Sequence, residues 1–183
     1  PDNAVWQRLL ARLAQVQGRM SDAVAHLQRV WELEPTDTSL ASLVRSMVAN
    51  NQLGEALELM HDMPHIVQSS VTVQSLQAQA LAMAGEKEKS GVVFRSAMSN
   101  SETADQVMII ARQMKESLGE PAAIAAIDEL SRGRSPNRFA LARVRLELDA
   151  LRYEAVLSQA EALRDKSLTD AEQRQLRRAS ARL

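Results

Sequence analysis

Apolar residues recur along the chain in short stripes at helical spacing. Leu10, Ala11 and Ala14 form one; Leu40, Leu43, Val44 and Met47 a second; Ala78 and Leu81 a third; Val107, Ile110, Ala111 and Met114 a fourth; Phe139, Ala142 and Leu146 a fifth. Each set falls on one face of an amphipathic helix. A second series alternates with the first. Small residues return at Ala23, Ala56, Ser90, Ala123 and Ala155, at intervals of 33, 34, 33 and 32. A small side chain lets two helices cross closely. Bulkier residues follow in register: Leu27, Met60, Phe94 and Ile127 four positions later, then Val30, Met63, Ala97 and Leu130 three beyond those. The pattern predicts pairs of short helices, repeated about five times.

Gly18, Gly54, Gly85, Gly119, Pro35, Pro64 and Pro136 punctuate the chain every helix or two, so no continuous heptad run survives. A period near 34 residues is the mark of a helix-pair repeat. One such pair cannot bury its apolar face alone; it stacks on its neighbours and builds an extended binding surface. Two details stand out. Met63-Pro64 cuts the second helix of the second unit short, because proline supplies no amide hydrogen, and residues 65–70 are expected to form an irregular bridge. Pro121 falls in the first turn of a helix, where proline costs little.

Leu10, Ala11, Ala14, Gly18, Ala23, Leu27, Val30 and Pro35 fall where a tetratricopeptide repeat has them. The chain resembles that family over nearly its whole length, most specifically in the first unit. It departs from the family in carrying Gln7 and Gln74 at the bulky opening site of the first helix, with Trp6 only a near neighbour. The resemblance implies an all-α, TPR-type α-solenoid of about five helix-turn-helix repeats in a right-handed superhelix. The repeats would span residues 4–36, 37–70, 71–103, 104–135 and 136–168, with 169–183 the first helix of a further repeat or a cap. Pro1 reads as the last turn of an upstream repeat, and Thr169-Asp170-Ala171-Glu172 as a capping box that opens a helix running to Leu183. On this reading the chain is a segment of a longer array.

Composition fits stacked helices with thin seams: aromatics are 3%, cysteine is absent, and hydrophobic residues make up 45%. The formal net charge of −1 gives no argument for nucleic acid. No run approaches the roughly 18 apolar residues of a membrane span, so this segment is not expected to contact a membrane. Charge is graded along the chain. Residues 1–64 hold five Lys/Arg against eight Asp/Glu, residues 65–134 seven against eight, and residues 135–183 ten against seven. The last stretch carries Arg138, Arg143, Arg145, Arg152, Arg174, Arg177, Arg178 and Arg182, a solvated surface or a dock for an acidic neighbour.

Catalytic, cofactor and metal motifs are not found. His61 and His65 have the spacing of helix-borne ligands, but Pro64 interrupts the helix and no cysteine or third histidine lies near. Residues 85–91 superficially suggest a phosphate loop, yet lack its Gly-Lys-Ser/Thr ending and preceding strand. Paired carboxylates such as Glu86/Glu88 and Asp128/Glu129 read as solvated helix faces. One constellation repeats with the fold. TPR arrays line their concave face with first helices, and at the midpoint of those helices stand Arg12, Arg45, Gln79 and Arg112, at intervals of 33, 34 and 33. Arg8 and Lys115 lie one turn away. Arginine presents a planar fork of donors to carboxylate or phosphate, so the row is a candidate ladder for an acidic segment or an anionic polymer. Arginine is also a good helix former on exposed faces. The carboxylate clamp for chaperone C-termini is a poor match, with Ser42, Thr72 and Leu76 at clamp positions.

The resemblance implies a non-catalytic scaffold that recruits another protein. With 18 Arg against 4 Lys and no cysteine, the chain looks bacterial, and most like TPR regions of envelope proteins in exopolysaccharide synthesis and export. The partner is then a polysaccharide-modifying enzyme and the compartment the periplasm, with the cytoplasm as the other possibility. The alternative function is the substrate-recruiting arm of a TPR-containing enzyme whose catalytic domain lies outside this chain.

Overall fold

Three of the described helices begin where a side chain satisfies a free amide of the first turn. Asn3 Oδ1 accepts from the Val5 amide at 2.8 Å. Thr36 and Ser39 cap each other reciprocally, as do Thr103 and Gln106. A computed structural model describes residues 3–132, 136–150 and 152–164, together with residues 168, 170, 173, 174, 177 and 181. Among these residues the chain is all α: α1 (Ala4–Val16), α2 (Met20–Leu33), α3 (Asp37–Ala49), α4 (Leu53–Asp62), α5 (Pro64–Ser69), α6 (Val71–Met83), α7 (Lys87–Asn100), α8 (Ala104–Leu118), α9 (Glu120–Ser131), α10 (Pro136–Asp149) and α11 (Tyr153–Arg164). The capping box expected at Thr169–Glu172, the helix expected to follow it and the reading of Pro1 fall largely or wholly outside the described residues.

Left-handed backbone marks the turn inside the α1/α2, α3/α4 and α6/α7 pairs. Gly18 and Gly85 adopt φ of 73° and 86°, and Asn51 takes the equivalent place with φ of 60°. Asparagine is one of the few side chains that tolerates this region. Gly54, expected to punctuate the chain, instead lies within α4, so the turn of that pair belongs to Asn51. The bridge expected at residues 65–70 is also corrected: residues 64–69 form α5. Pro64 ends α4 and is itself the first residue of α5, where its fixed φ is helical and its missing amide hydrogen is not needed. Val67 of α5 is buried.

Two compact units divide the chain, residues 1–93 and residues 94–183, with the boundary inside α7. In the first unit α1 packs on α2, α2 on α3, and α3 on both α4 and α6. Its core is one apolar cluster that includes Leu27, Leu40, Val44, Met60, Val73 and Leu76. Ala23 and Ala56 are fully buried where second helices cross first ones. At the third such position Ser90 replaces alanine, and its hydroxyl donates to the Ala78 carbonyl at 2.7 Å. A serine fits here because that bond removes the cost of burying a hydroxyl.

In the second unit α8, α9 and α10 pack on one another and α10 packs on α11. Phe94, Ala97, Ala123 and Ile127 keep the register and are buried. Leu141, Val144, Val156 and Leu163 form a cluster between α10 and α11.

Candidate protein-interaction surface

The first helices of the first unit, α1, α3 and α6, repeat one exposed face in register. Arg12 and Arg45 are exposed and, among the described residues, enter no hydrogen bond or ion pair. Gln79 is half-buried, and its Nε2 is buried without a partner. Two turns earlier in the same register stand Val5, Thr38 and Thr72; one turn later stand Val16, Ala49 and Met83. All six are exposed. The face thus presents a cationic and amide row, bordered on one side by two hydroxyls and on the other by small and large apolar groups. The flanking rows escape a reading of the sequence that looks for charge, although their spacing of 33 and 34 is the same signal.

The remaining members of the predicted ladder are occupied. Arg8 pairs with Glu34. Arg112 donates to Asp149 Oδ2 from Nε at 3.0 Å and from its terminal nitrogen at 2.6 Å. Lys115 Nζ lies 2.9 Å from Glu120. Arg12, Arg45 and Gln79 belong to the first unit, whereas Arg112 and Lys115 belong to the second and are neutralised there.

Arg138, Arg143, Arg145 and Arg152 of the C-terminal stretch are spent in the same way. Glu147 is buried and is gripped by Arg143 at 2.7 Å and by Arg152. Arg152 also reaches Glu120, which in turn holds Lys115. Hydrogen bonds from Lys115 and then Arg152 hold the Glu120 carboxyl below its usual value, and the bonds to Glu147 and then Glu120 raise the Arg152 guanidinium above its own. Arg145 pairs with Asp105, and Arg138 donates to the Ser99 carbonyl at 3.0 Å. Arg178 and Arg182 lie outside the described residues.

His61 and His65 fall on different helices, α4 and α5, and no group of three or more metal-ligating side chains occurs among the described residues. No described helix is long and apolar enough to cross a membrane.

Helix pairs, left-handed turns inside three of them, buried small residues at Ala23, Ala56, Ser90 and Ala123 and a repeat near 34 residues define the architecture. A tetratricopeptide repeat model matches residues 14–80. The match starts in the last turn of α1, ends within α6, and so takes in the helices that carry Arg45 and Gln79. No curated protein matches the chain. A tetratricopeptide fold serves as a protein-interaction module, because stacked pairs expose the same helix face again and again.

Proposed function

We propose that the first unit is a non-catalytic recruiting module that takes an acidic, partly apolar segment of a partner protein across α1, α3 and α6. The observation that supports this is the contrast within one register: Arg12 and Arg45 keep their guanidinium donors free, whereas Arg112 is satisfied by Asp149. A carboxylate-bearing segment would take both free guanidiniums and set an apolar side chain against Val16 or Met83. As its setting we propose the bacterial periplasm, in a system that modifies and exports an exopolysaccharide, with the partner a polymer-modifying enzyme. The support is compositional: no cysteine, and 18 Arg against 4 Lys.

Crosslinked pull-downs from source-cell extract, with Arg12→Glu/Arg45→Glu and Arg112→Glu as parallel baits, test the module. Wild type and Arg112→Glu are expected to retain the same partner, and the double variant to lose it. A partner retained equally by all three baits moves the site to another face. Fractionation of cells that express the tagged full-length protein tests the compartment; recovery in the cytosol would refute the periplasmic setting.

A further inference from the structure

Arg143 has its charge balanced but not its donors. Glu147 lies 2.7 Å from one guanidinium nitrogen and Asp128 3.7 Å from another, yet Nε and Nη1 are buried without a hydrogen-bond partner among the described residues. Gln159 Oε1 is buried and unpartnered as well. Both side chains line one partly enclosed cavity of about 220 Å³ in the second unit. Its lining comes from three helices: Asp128 and Ser131 from α9, Arg143 from α10 and Gln159 from α11. Both α9 and α11 pack on α10. Ile127 and Leu163 give the cavity an apolar wall. Buried polar atoms without partners are uncommon in folded chains, and each calls for an explanation.

Size, charge and hydrogen-bond pattern together specify the occupant. Sites for whole cofactors and drug-sized ligands begin near ~300 Å³, so this cavity has the scale of one side chain. Water suits only its polar part, because a confined water needs several polar partners and Ile127 and Leu163 offer none. A polar head on a short apolar stem fits both parts. A carboxylate head would meet Asp128 and Glu147, and an ammonium or guanidinium head would meet Arg143; either would also lose its hydration. The head is therefore uncharged. It must accept from Arg143 and donate to Gln159 or Asp128 at once. A primary amide does both, and it pairs with Gln159 whichever way round that side chain is turned. Ser131 Oγ donates to the Asp128 carbonyl at 2.9 Å and keeps a lone pair for the second amide hydrogen. A hydroxyl brings only one hydrogen. We infer that this cavity is a docking site for the amide side chain, glutamine or asparagine, of a partner segment that crosses α9, α10 and α11. It lies within residues 127–163 and does not rest on the reading of α1, α3 and α6.

Nuclear magnetic resonance titration of the 183-residue chain with N-acetylglutamine methylamide tests the inference, with the glutamate, lysine and leucine analogues run in parallel at neutral pH. The glutamine compound is expected to bind in the millimolar range and to shift the side-chain amide signal of Gln159 and the backbone amides of Ala140 and Arg143. The three analogues should bind about tenfold more weakly, because each leaves buried donors or acceptors unmet. Gln159→Leu should weaken the glutamine compound by a similar factor while the signals of α9 and α10 stay in place. Arg143→Lys keeps the charge beside Glu147 but loses the planar fork, and should do the same. No shift at these positions with any compound would show that the cavity holds water only. Equal binding of the glutamine compound and any analogue, or undiminished binding to Gln159→Leu, would also overturn the site. The pull-down with the Arg12→Glu/Arg45→Glu bait reads the first unit and does not depend on these results.

Discussion

The two units use the same helix pair but hold it together by different means. In the first, one apolar cluster runs from α1 to α6; the ion pairs Arg19–Asp22, Arg29–Glu32 and Glu86–Lys89 lie within single helices or turns, and Arg8–Glu34 joins α1 to the end of α2 at exposed positions without extending into a longer chain. In the second, a chain of ion pairs runs from Asp128 through Arg143, Glu147, Arg152 and Glu120 to Lys115, and one of its carboxylates is buried. An apolar seam tolerates small changes of angle between helices, whereas paired charges must meet at fixed geometry. The difference teaches where cations are available. The unit that satisfies its arginines internally has none left in the predicted ladder, and the unit held by apolar contacts leaves Arg12 and Arg45 free.

Removing one apolar contact from the first unit should have the largest effect. Leu40 is fully buried in its cluster, so Leu40→Ala is expected to cost about 3 kcal/mol, independent of salt. Both tryptophans, Trp6 and Trp31, lie in the first unit, and their fluorescence during denaturant unfolding reads that loss directly. Glu147→Ala comes next. It leaves Arg143 without its close partner, but Arg152 remains half exposed and keeps Glu120, so about 2 kcal/mol is expected rather than the larger cost of a fully buried pair. The loss should appear in circular dichroism before any change in tryptophan signal, and should shrink as salt is raised. A salt-independent loss, or one reported by tryptophan, would dissolve the contrast between the units.

Acid supplies the gentlest test. Glu120 has its carboxyl lowered by Lys115 and Arg152 in the folded chain, so the unfolded chain binds its proton at higher pH. The stabilisation is therefore complete above the unlowered value of 4.5 and is lost as pH falls through the depressed one. Amide protection, taken relative to the intrinsic exchange rate at each pH, is expected to fall in α9 and α11 on acidification before it does in α3 and α6. Simultaneous loss of protection in all four helices would show that Glu120 does not set the acid response.

Much of the architecture was legible because close helix crossings demand small residues and leave them at a fixed period. Ala23, Ala56, Ser90 and Ala123 are buried where that period places them. Two local features escaped for physical reasons. Asn51 holds a left-handed turn as glycine does, so Gly54 is not needed there and lies within α4. Pro64 was read only as a terminator, whereas a proline that ends one helix is equally suited to start the next. The site was less legible than the fold. The spacing of Arg12, Arg45, Gln79 and Arg112 is visible in the sequence, but Asp149, which pairs with Arg112, stands far along the chain. Periodicity also names an apolar face without naming what covers it. Leu10, assigned to a buried stripe, is exposed.

The ion-pair chain of the second unit also imposes an order on folding during synthesis. Every contact of the first unit is available once Val93 has left the ribosome, and its helix pairs can close one after another as they emerge. Lys115 and Glu120 emerge well before Arg152, and Glu147 cannot be gripped from both sides until that arginine appears. The second unit therefore completes its locking late, when nearly all of its helices already exist. A ribosome paused between Glu120 and Arg152 would hold a finished first unit beside an unlocked second one.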